Sequence, residues 1–506
     1  MYIVGLIGFS LPEQIVDWLR EKQEHALVFI EEELGAFGAF QEEELYENPQ
    51  IHFHFSQGDV IEELSQEFPL DRIGVFVGEG REFDALGLER RSAALSALYS
   101  DVLFSHKIVE NVLTNYQRLP GSFAANRWEG AFEGVPAIIC GAGPSLERAA
   151  PHLKELSDRA LIFGGGSAIT ALTRKGIVPH FAMALDPNPE EFDRLKQSWF
   201  FEGPFLFAPR LNREVFACSN GPFGYVKTDT GGLTESWLEE VFGMTDRPIG
   251  PDMGEEAFSV TTLAISYAVA LGCNPIILTG VDLAFTEGKR YASGIEAEDG
   301  EKEDPRALEK RLMVKDIYGN SVETLLKWIM EADAISAFAK ETTKARFINA
   351  SEGGIGFTGI ENLSFARAIE TYCLEQRDLK GRIHQQIQET PLSISEGDFA
   401  EHWEDLHVSL KKCIALNELI LLELVKKRET GKLLIAQSDL LEEKAYHCFL
   451  EGIDLSLSRI LPRYFPSIDL NEGKWKREKA KHQELLLHMK NFHEILSSLR
   501  KYPLPT

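Results

Sequence analysis

The sequence VPAIICGAGPSLERAA, at residues 135–150, is an apolar strand followed by a turn of glycine, proline and serine that opens a helix. Gly141 and Gly143 permit positive φ values and a close approach of the backbone to a ligand. The first N–H groups of the next helix have no intrahelical partner, and anions bind there. Pro144 suits the first helical turn, and the Ser145 hydroxyl can cap the helix or bind a ligand oxygen. The stretch therefore predicts a phosphate-binding turn in an α/β fold.

Two common phosphate loops do not match this turn. The dinucleotide fingerprint requires a third glycine where Leu146 stands and an acidic residue about 20 positions further on, whereas residues 164–167 are GGGS. The P-loop requires four residues between its glycines and a Lys-Ser/Thr pair after them. Here the first lysine after the turn is Lys154. We therefore expect neither a nicotinamide cofactor nor P-loop hydrolysis.

Length and charge limit the class of protein. The chain has 506 residues, more than one hydrophobic core usually supports, so we expect two or three domains. Its net charge is −27, from 52 basic and 79 acidic residues, which argues against nucleic acid and anionic lipid as partners. The basic run at Lys474–Lys481 contains Glu478 and lies in a helical pattern. We interpret this run as a solvated helix face.

Cysteine usage and hydropathy indicate a cytoplasmic protein. The six cysteines form no C-x-x-C pair and lie in apolar surroundings, as expected of buried thiols in a reducing compartment. The N-terminal residues lack the positive region and cleavage site of a signal peptide. Thr261–Val281 carries no charge, but Gly272, Asn274 and Pro275 divide it into a helix and a strand. We therefore expect no stable membrane insertion.

The pattern predicts three domains. Residues 1–115 form a small α/β domain, with strands at 2–7, 26–31, 52–54 and 73–77 and a helix at 11–23. Residues 116–365 alternate helices with strands at 137–140, 161–163, 181–185, 205–208 and 276–278. This alternation predicts a mostly parallel, Rossmann-like sheet that binds ligands at the carboxyl ends of its strands. Residues 366–506 form a helical domain, in which one apolar face comprises Leu410, Ile414, Leu421 and Val425. Homo-oligomerisation through such faces is one option.

Four strand-end segments converge on one predicted crevice: Gly141–Leu146, Gly164–Ser167, Leu185–Pro187 and Thr279–Asp282. Asp186 is held by a stiff turn before Pro187, either as a contact to a ligand hydroxyl or metal or as an Asx-turn or helix cap. Asp282 precedes a loop with Lys289, Arg290 and Tyr291. That loop can close over a phosphorylated donor or be an ordinary surface loop.

Glu352 is a further candidate, as an acid or base, because RFINASEGG at residues 346–354 follows another short strand. His180 stands at the start of its strand, which favours a structural role. The histidines show no H-x-x-x-H or H-E-x-x-H spacing, so a dedicated zinc site is not expected. No G-x-S-x-G elbow is present, so serine nucleophile chemistry has no support.

Four stretches together resemble the central domain of the motility-associated factor family. They are GAGPSL, ALDPNP, INASEGG and, at residues 263–294, LAISYAVALGCNPIILTGVDLAFTEGKRYASG. Its members are glycosyltransferases acting on flagellin. The same domain resembles the archaeal 6-hydroxymethyl-7,8-dihydropterin pyrophosphokinase, and the glycine turn resembles the one that holds the cytidine nucleotide in bacterial sialyltransferases. The resemblance covers residues 130–360, about half of the chain.

This resemblance implies that the glycine turn holds nucleotide phosphates, with Asp186 and Asp282 beside them. The predicted nucleotide-binding residues are Gly141, Gly143, Pro144, Ser145, Ser167, Asp186 and Gly280. The chain differs from the family at Gly165, Gly166 and Phe258, among other positions.

Three functions follow as expectations. The first is transfer of a sugar, a nine-carbon acidic sugar from a CMP-activated donor, to serine or threonine hydroxyls of a protein acceptor, with Asp282 or Glu352 as the base. The second is pyrophosphoryl transfer from ATP to a pterin-like alcohol, with Asp186 and Asp282 holding Mg²⁺. The third is a nucleotide-binding or assembly protein without catalysis. The sequence leaves metal dependence and the acceptor open.

Overall fold

The computed structural model describes residues 1–5, 13–22, 25–32, 48–55, 60–67, 73–77, 85–228, 232–253, 259–295, 311–464 and 470–501. The chain forms two compact units. The first comprises residues 1–104 with 453–484, and the second comprises residues 105–452 with 485–506. The division into three domains remains a prediction. Among the described helices, none combines the length and the apolar composition needed to cross a membrane.

The first unit contains a small parallel sheet. Its strands are β1 (Tyr2–Val4), β2 (Leu27–Glu31), β3 (Ile51–Phe55) and β4 (Val75–Val77), and its helices include α1 (Glu13–Glu21) and α2 (Val60–Glu67). The strand order is β3-β2-β1-β4. Alternate residues of β2 pack into separate clusters on the two faces, as the period of two in a strand requires. The predicted α/β fold of this region is confirmed, although residues 6–7, 11–12 and 23 of the predicted elements lie outside the described residues.

The second unit is built on a larger sheet. Its strands are β5 (Phe123–Ala124), β6 (Ala137–Cys140), β7 (Leu161–Gly165), β8 (Phe181–Ala184), β9 (Phe205–Phe207), β10 (Phe223–Tyr225), β11 (Ile276–Thr279), β14 (Phe347–Asn349) and β15 (Glu361–Asn362). A separate antiparallel hairpin is formed by β12 (Arg311–Lys315) and β13 (Ser321–Leu325). The sheet order is β15-β14-β11-β6-β7-β8-β9-β10-β5, and all neighbours are parallel. The predicted parallel Rossmann-like sheet is confirmed.

The remaining helices are distributed over the two units. They are α3 (Ala85–Tyr116), α4 (Leu146–Leu153), α5 (Ser167–Arg174), α6 (Pro189–Leu195), α7 (Gly232–Val241), α8 (Val260–Ala270), α9 (Leu326–Glu341), α10 (Phe365–Tyr372), α11 (Leu379–Glu389), α12 (Glu396–Leu424), α13 (Gly431–Leu441), α14 (Glu451–Tyr464) and α15 (Leu470–Lys501). Short 3₁₀ segments occur at Ala125–Trp128, Arg213–Cys218, Pro251–Met253 and Thr286–Gly288, with a π-helical turn at Tyr446–Leu450. The region after residue 365 is helical, as predicted, and the basic run at 474–481 lies in α15.

The chain reverses its direction across the sheet at β6. From β6 it proceeds through β7, β8, β9 and β10 on one side, and then returns to β11 on the other side of β6. Every residue of β6 and β11 is buried, because both faces of a parallel sheet are covered. In such sheets ligands bind beyond the carboxyl ends of the strands, where the order reverses. That point lies between Cys140 and Thr279, which are paired in the register.

The apolar face predicted for α12 is wrong in register. Leu410 is fully buried, but Ile414 and Leu421 are only partly buried and Val425 is 69% exposed. The buried face of α12 instead includes Leu406, Leu410, Cys413, Asn417, Ile420 and Leu424. These positions follow alternating steps of three and four residues, which keep one face of a helix together. The prediction used too few positions to fix the face, and it passed over a buried cysteine and a buried asparagine.

Candidate functional site

A cavity of about 420 Å³ lies at the carboxyl ends of β6, β7, β8 and β11, at the point where the strand order reverses. Its lining includes Gly141, Ala142, Gly143, Gly165, Gly166, Ser167, Leu185, Asp186, Glu191, Arg194, Ser259, Gly280, Asp282, Arg290, Tyr291, Lys327, Trp328 and Glu331. All four predicted strand-end segments contribute to it. The volume is in the range of sites for small molecules and cofactors.

The structure brings most of the predicted site residues together. Gly141, Gly143, Ser167, Asp186, Gly280 and Asp282 line the cavity. Pro144, Ser145 and Glu352 are not among its lining residues. Phe258, one of the positions that differ from the family, lies outside the described residues. The roles assigned to these residues in binding or catalysis remain predictions.

The two glycines of the first turn have a packing role that does not require a positive φ, and their role in ligand binding remains a prediction. Neither Gly141 nor Gly143 has a positive φ. A Cβ at Gly141 would overlap the carbonyl oxygen of Gly280, and a Cβ at Gly143 would overlap the carboxylate of Asp282. The N–H groups of Gly141 and Gly143 donate to the carbonyls of Thr279 and Gly280, each at 2.8 Å. The glycines therefore allow two strand-end turns to pack against each other.

Asp282 caps helix α4. Its side chain is buried, and its carboxylate accepts hydrogen bonds from the Ser145 hydroxyl and, at 3.2 Å, from the Ser145 N–H. Burial raises the pKa of Asp282, and the hydrogen bonds from Ser145 oppose that increase. Because each oxygen of Asp282 accepts a hydrogen bond from Ser145, a carboxyl group of the protein lies at the helix start that the sequence analysis assigned to a phosphate.

Glu352 lies outside the cavity and contributes to the start of another helix. Its carboxylate accepts a hydrogen bond from the N–H of Phe365, the first residue of α10, at 2.9 Å. Its carbonyl accepts one from the Arg148 guanidinium, also at 2.9 Å. The neighbouring Ser351 hydroxyl accepts a bond from the Val281 N–H at 3.2 Å. The INASEGG segment thus supports the turn that carries Asp282, and this geometry does not favour Glu352 as an acid or base.

A buried carboxyl group that the sequence analysis missed lies beside Asp186. Glu191, in the first turn of α6, is 2% exposed. Its Oε2 is 3.6 Å from Nε of Arg194, and Nη2 of Arg194 is 3.8 Å from Oδ2 of Asp186. Burial raises the pKa of Glu191 to about 7, Arg194 lowers it and Asp186 raises it. No local pattern indicates this burial, because acidic residues are mostly exposed.

A second missed carboxyl group is Glu331 in α9. The Ser259 hydroxyl donates to Oε1 of Glu331 at 2.6 Å. Burial raises the pKa of Glu331 to about 7, while the bond from Ser259 and the charge of Lys327 lower it. Ser259 and Thr262 also form a capping box at the start of α8.

Gly165 allows helix α8 to approach β7. A Cβ at Gly165 would lie 2.7 Å from Cγ2 of Val260, the first residue of α8. A larger residue at position 165 would therefore push α8 and Ser259 away from the sheet. The close packing of α8 on β7 therefore requires a small residue at position 165, which is one of the positions that differ from the family.

An aromatic and cationic wall closes another side of the cavity. The Arg290 guanidinium lies 5.4 Å from the ring centre of Tyr291 and 5.8 Å from that of Trp328. Trp328 also packs on Phe285, with ring centres 5.1 Å apart. Rings and guanidinium groups of this kind can stack on a base or a sugar. The loop after Asp282 therefore lines the cavity, and its closure over a phosphorylated donor remains a prediction.

His180 has the structural role expected of it. Its Nδ1 accepts a hydrogen bond from the N–H of Ile162 at 3.0 Å, so Nε2 carries the proton and donates to the carbonyl of Ser157 at 2.9 Å. Burial lowers its pKa to about 4. In the part of the chain that the structure describes, no three His, Cys, Asp or Glu side chains are arranged to hold a metal ion.

Glu191→Gln should remove a pH dependence of stability. The folded chain keeps a proton on Glu191 up to a pKa of about 7, whereas the unfolded carboxyl loses it near 4.5. The unfolded state therefore binds fewer protons in this interval, and the free energy of unfolding falls as pH rises, by about 3 kcal/mol for this group. We expect the variant to gain stability relative to the unchanged chain at pH 8 but not at pH 4.5, as measured by urea denaturation.

Glu190→Gln is the matched control, because Glu190 is exposed in the same helical turn. It should leave the pH dependence unchanged. If Glu191→Gln and Glu190→Gln had the same pH dependence of the free energy of unfolding, Glu191 would be charged in the folded chain at neutral pH.

Comparisons with known proteins agree with this geometry. Residues 110–288 match the family model described as 6-hydroxymethylpterin diphosphokinase MptE-like. Among solved structures, the chain is similar to the MAf glycosyltransferase from Magnetospirillum magneticum AMB-1, with 17% identity and a TM-score of 0.56 over 98% of this chain and 79% of that one. No curated protein matches the sequence. Residues 110–288 are therefore similar to the MptE-like family, and the chain has the fold of the MAf glycosyltransferase, as the resemblance implied.

Proposed function

We propose that the chain is a glycosyltransferase that binds an activated nucleotide sugar in the cavity and transfers the sugar to a hydroxyl group. The observation that carries this proposal is the lining of the cavity, in which buried carboxyl groups face a wall of Arg290, Tyr291 and Trp328. A base and a stabilised leaving phosphate are the two requirements of such a transfer. Likeness to a solved glycosyltransferase over 98% of the chain supports the same function.

The donor in this proposal is a CMP-activated, nine-carbon acidic sugar, and the acceptor is a serine or threonine of a protein such as flagellin. The motif resemblance supports both assignments. Arg194, Arg290 and Lys327 all line the cavity. Their positive charges would stabilise the negative charge that develops on the leaving nucleotide.

Glu331 is the candidate general base of this proposal, in place of Asp282 or Glu352. Asp282 is engaged by Ser145 through both of its oxygens, and Glu352 caps α10. Glu331 lines the cavity, and its pKa of about 7 gives it comparable protonated and deprotonated fractions at neutral pH. A base works best when its pKa is near the working pH.

The second candidate function is pyrophosphoryl transfer from ATP, and the MptE-like match over residues 110–288 favours it. This reaction would require Mg²⁺ at Asp186 and Asp282. The two carboxylates fit the metal poorly, because Asp282 caps α4 and Asp186 faces Arg194 at 3.8 Å. We therefore place this function behind the glycosyltransferase.

Calorimetric titration of the whole chain with CMP, UDP, GDP and ATP, with and without Mg²⁺, tests these functions. We expect CMP to bind without metal, and Lys327→Ala to weaken this binding by about tenfold, because it removes a positive charge from the cavity. Lys340→Ala, in an exposed position of the same helix, should not change the affinity. Binding of ATP only with Mg²⁺ would favour the pyrophosphokinase. No nucleotide binding would favour the assembly protein.

A further inference from the structure

The N-termini of two helices, α4 and α5, lie near the cavity and differ in how their N–H groups are satisfied. At α4 the Ser145 N–H donates to Asp282 at 3.2 Å. The next three N–H groups, of residues 146–148, donate to carbonyls three residues earlier at 3.0–3.2 Å. The start of α4 therefore has little capacity left for an anion, although its sequence is the one that suggests a phosphate site.

Helix α5 begins differently. Gly166, its N-cap, has a φ of +49°, and no side chain caps the helix. Within the described residues, the N–H groups of Ser167 and Ala168 donate to no acceptor. Buried N–H groups rarely lack a partner in native proteins. Two adjacent N–H groups at a helix N-terminus form a ready site for an anion.

The Ser167 side chain gives an independent indication. Ser167 is only 7% exposed and lines the cavity. Its hydroxyl forms no hydrogen bond with any other group in the part of the chain that is described. Because this hydroxyl has no protein partner, it is available to donate a hydrogen bond to a ligand oxygen in the cavity.

The charges around this site also suit an anion. Arg194 lines the cavity with Gly166 and Ser167. A Cβ at Gly166 would lie 3.4 Å from Oε1 of Glu191, so this buried carboxyl is next to the site. Since the pKa of Glu191 is raised to about 7, much of it is uncharged at neutral pH, which weakens its repulsion of an anion.

We propose that the phosphate of the nucleotide donor binds at the start of α5, to the N–H groups of Ser167 and Ala168, the Ser167 hydroxyl and the Arg194 guanidinium. The turn at Gly141–Ser145 then holds the two central strand ends together and does not hold the phosphate. This inference rests on the proposed function only in requiring that the cavity takes a phosphorylated ligand.

The test compares Ser167→Ala with Ser145→Ala in the full chain, with CMP and inorganic pyrophosphate as probes. Ser167→Ala should weaken binding of both by about 10- to 100-fold, since it removes a hydrogen bond to a charged group, and should leave Tm unchanged. Ser167→Thr should restore much of the affinity. Ser145→Ala should lower Tm, because it removes the bond to Asp282, and should leave both affinities unchanged.

The opposite result, with affinity lost in Ser145→Ala and kept in Ser167→Ala, would overturn the proposal. The proposal would also be overturned if neither CMP nor inorganic pyrophosphate bound to the unchanged chain. A phosphate located at Ser167 without any sugar transfer would support this site while refuting the glycosyltransferase. Failure of the phosphate site at Ser167 can therefore be distinguished from failure of the proposed glycosyltransferase function.

Discussion

Replacing Gly141 with alanine should destabilise the chain by more than about 4 kcal/mol, a loss that only a few mechanisms produce. The added Cβ would overlap the carbonyl oxygen of Gly280. The Cβ would be fixed to the backbone that follows β6, and the carbonyl belongs to the backbone that follows β11. The two turns therefore cannot separate without breaking the hydrogen bond from the Gly141 N–H to the Thr279 carbonyl. We expect little soluble protein, and an early transition in urea denaturation of whatever is recovered.

Gly431→Ala is the matched control. Gly431 begins α13 without a positive φ, and a Cβ there has no neighbour within 4 Å. This change should be neutral or slightly stabilising, because alanine is a better helix former than glycine. If Gly141→Ala instead kept normal stability and lost only nucleotide affinity, the glycine would serve the ligand, as the sequence alone suggested.

The sequence was sufficient to predict the central strands of the sheet and the place of the cavity, but not the strands β5, β10 and β15. The strands at 137–140 and 276–279 are short apolar runs bounded by turn residues, a pattern that local chemistry determines. The carboxyl ends of parallel strands meet at one edge, so the four segments that follow them were predicted to converge. The cavity confirms that convergence, since all four segments line it.

The occupant of the first turn could not be predicted, because it depends on a contact between distant residues. Ser145 and Asp282 are 137 positions apart, and no local pattern shows that the carboxylate of one caps the helix of the other. A glycine-rich turn before a helix is typical of both a ligand site and a close packing of backbones. Only the neighbouring strand end distinguishes these two cases.

The two carboxyl groups that line the cavity, Glu191 and Glu331, could not be predicted for a related reason. Glu191 stands in the polar sequence PEEFDRL, and Glu331 in a helix of mixed polarity. Acidic residues in such helices are mostly exposed. Glu191 is buried and Glu331 is partly buried, and both line the cavity that α6 and α9 border. Two carboxyl groups with a pKa of about 7 in one cavity are typical of functional sites, where burial shifts titration towards neutral pH.

Glu331→Gln should reduce kcat by about 10²- to 10⁴-fold, the usual contribution of a general base. Glutamine keeps the size of the side chain and can still accept the bond from Ser259, so the fold and the affinity for the nucleotide should be retained. Glu341→Gln, in an exposed position of the same helix, should leave kcat unchanged. The measurement is transfer of sugar to a peptide acceptor, with nucleotide affinity determined separately.

The pH profile distinguishes this role from a structural one. Glu331 must be deprotonated to accept a proton, so the rate of the unchanged chain should rise with pH and level off above its pKa of about 7. The residual rate of Glu331→Gln should lack that rise. A variant with full activity, or one with the same midpoint near 7, would exclude Glu331 as the base. Glu191, with a similar pKa, would then be the next carboxyl group to test, because it lines the same cavity from the side of α6.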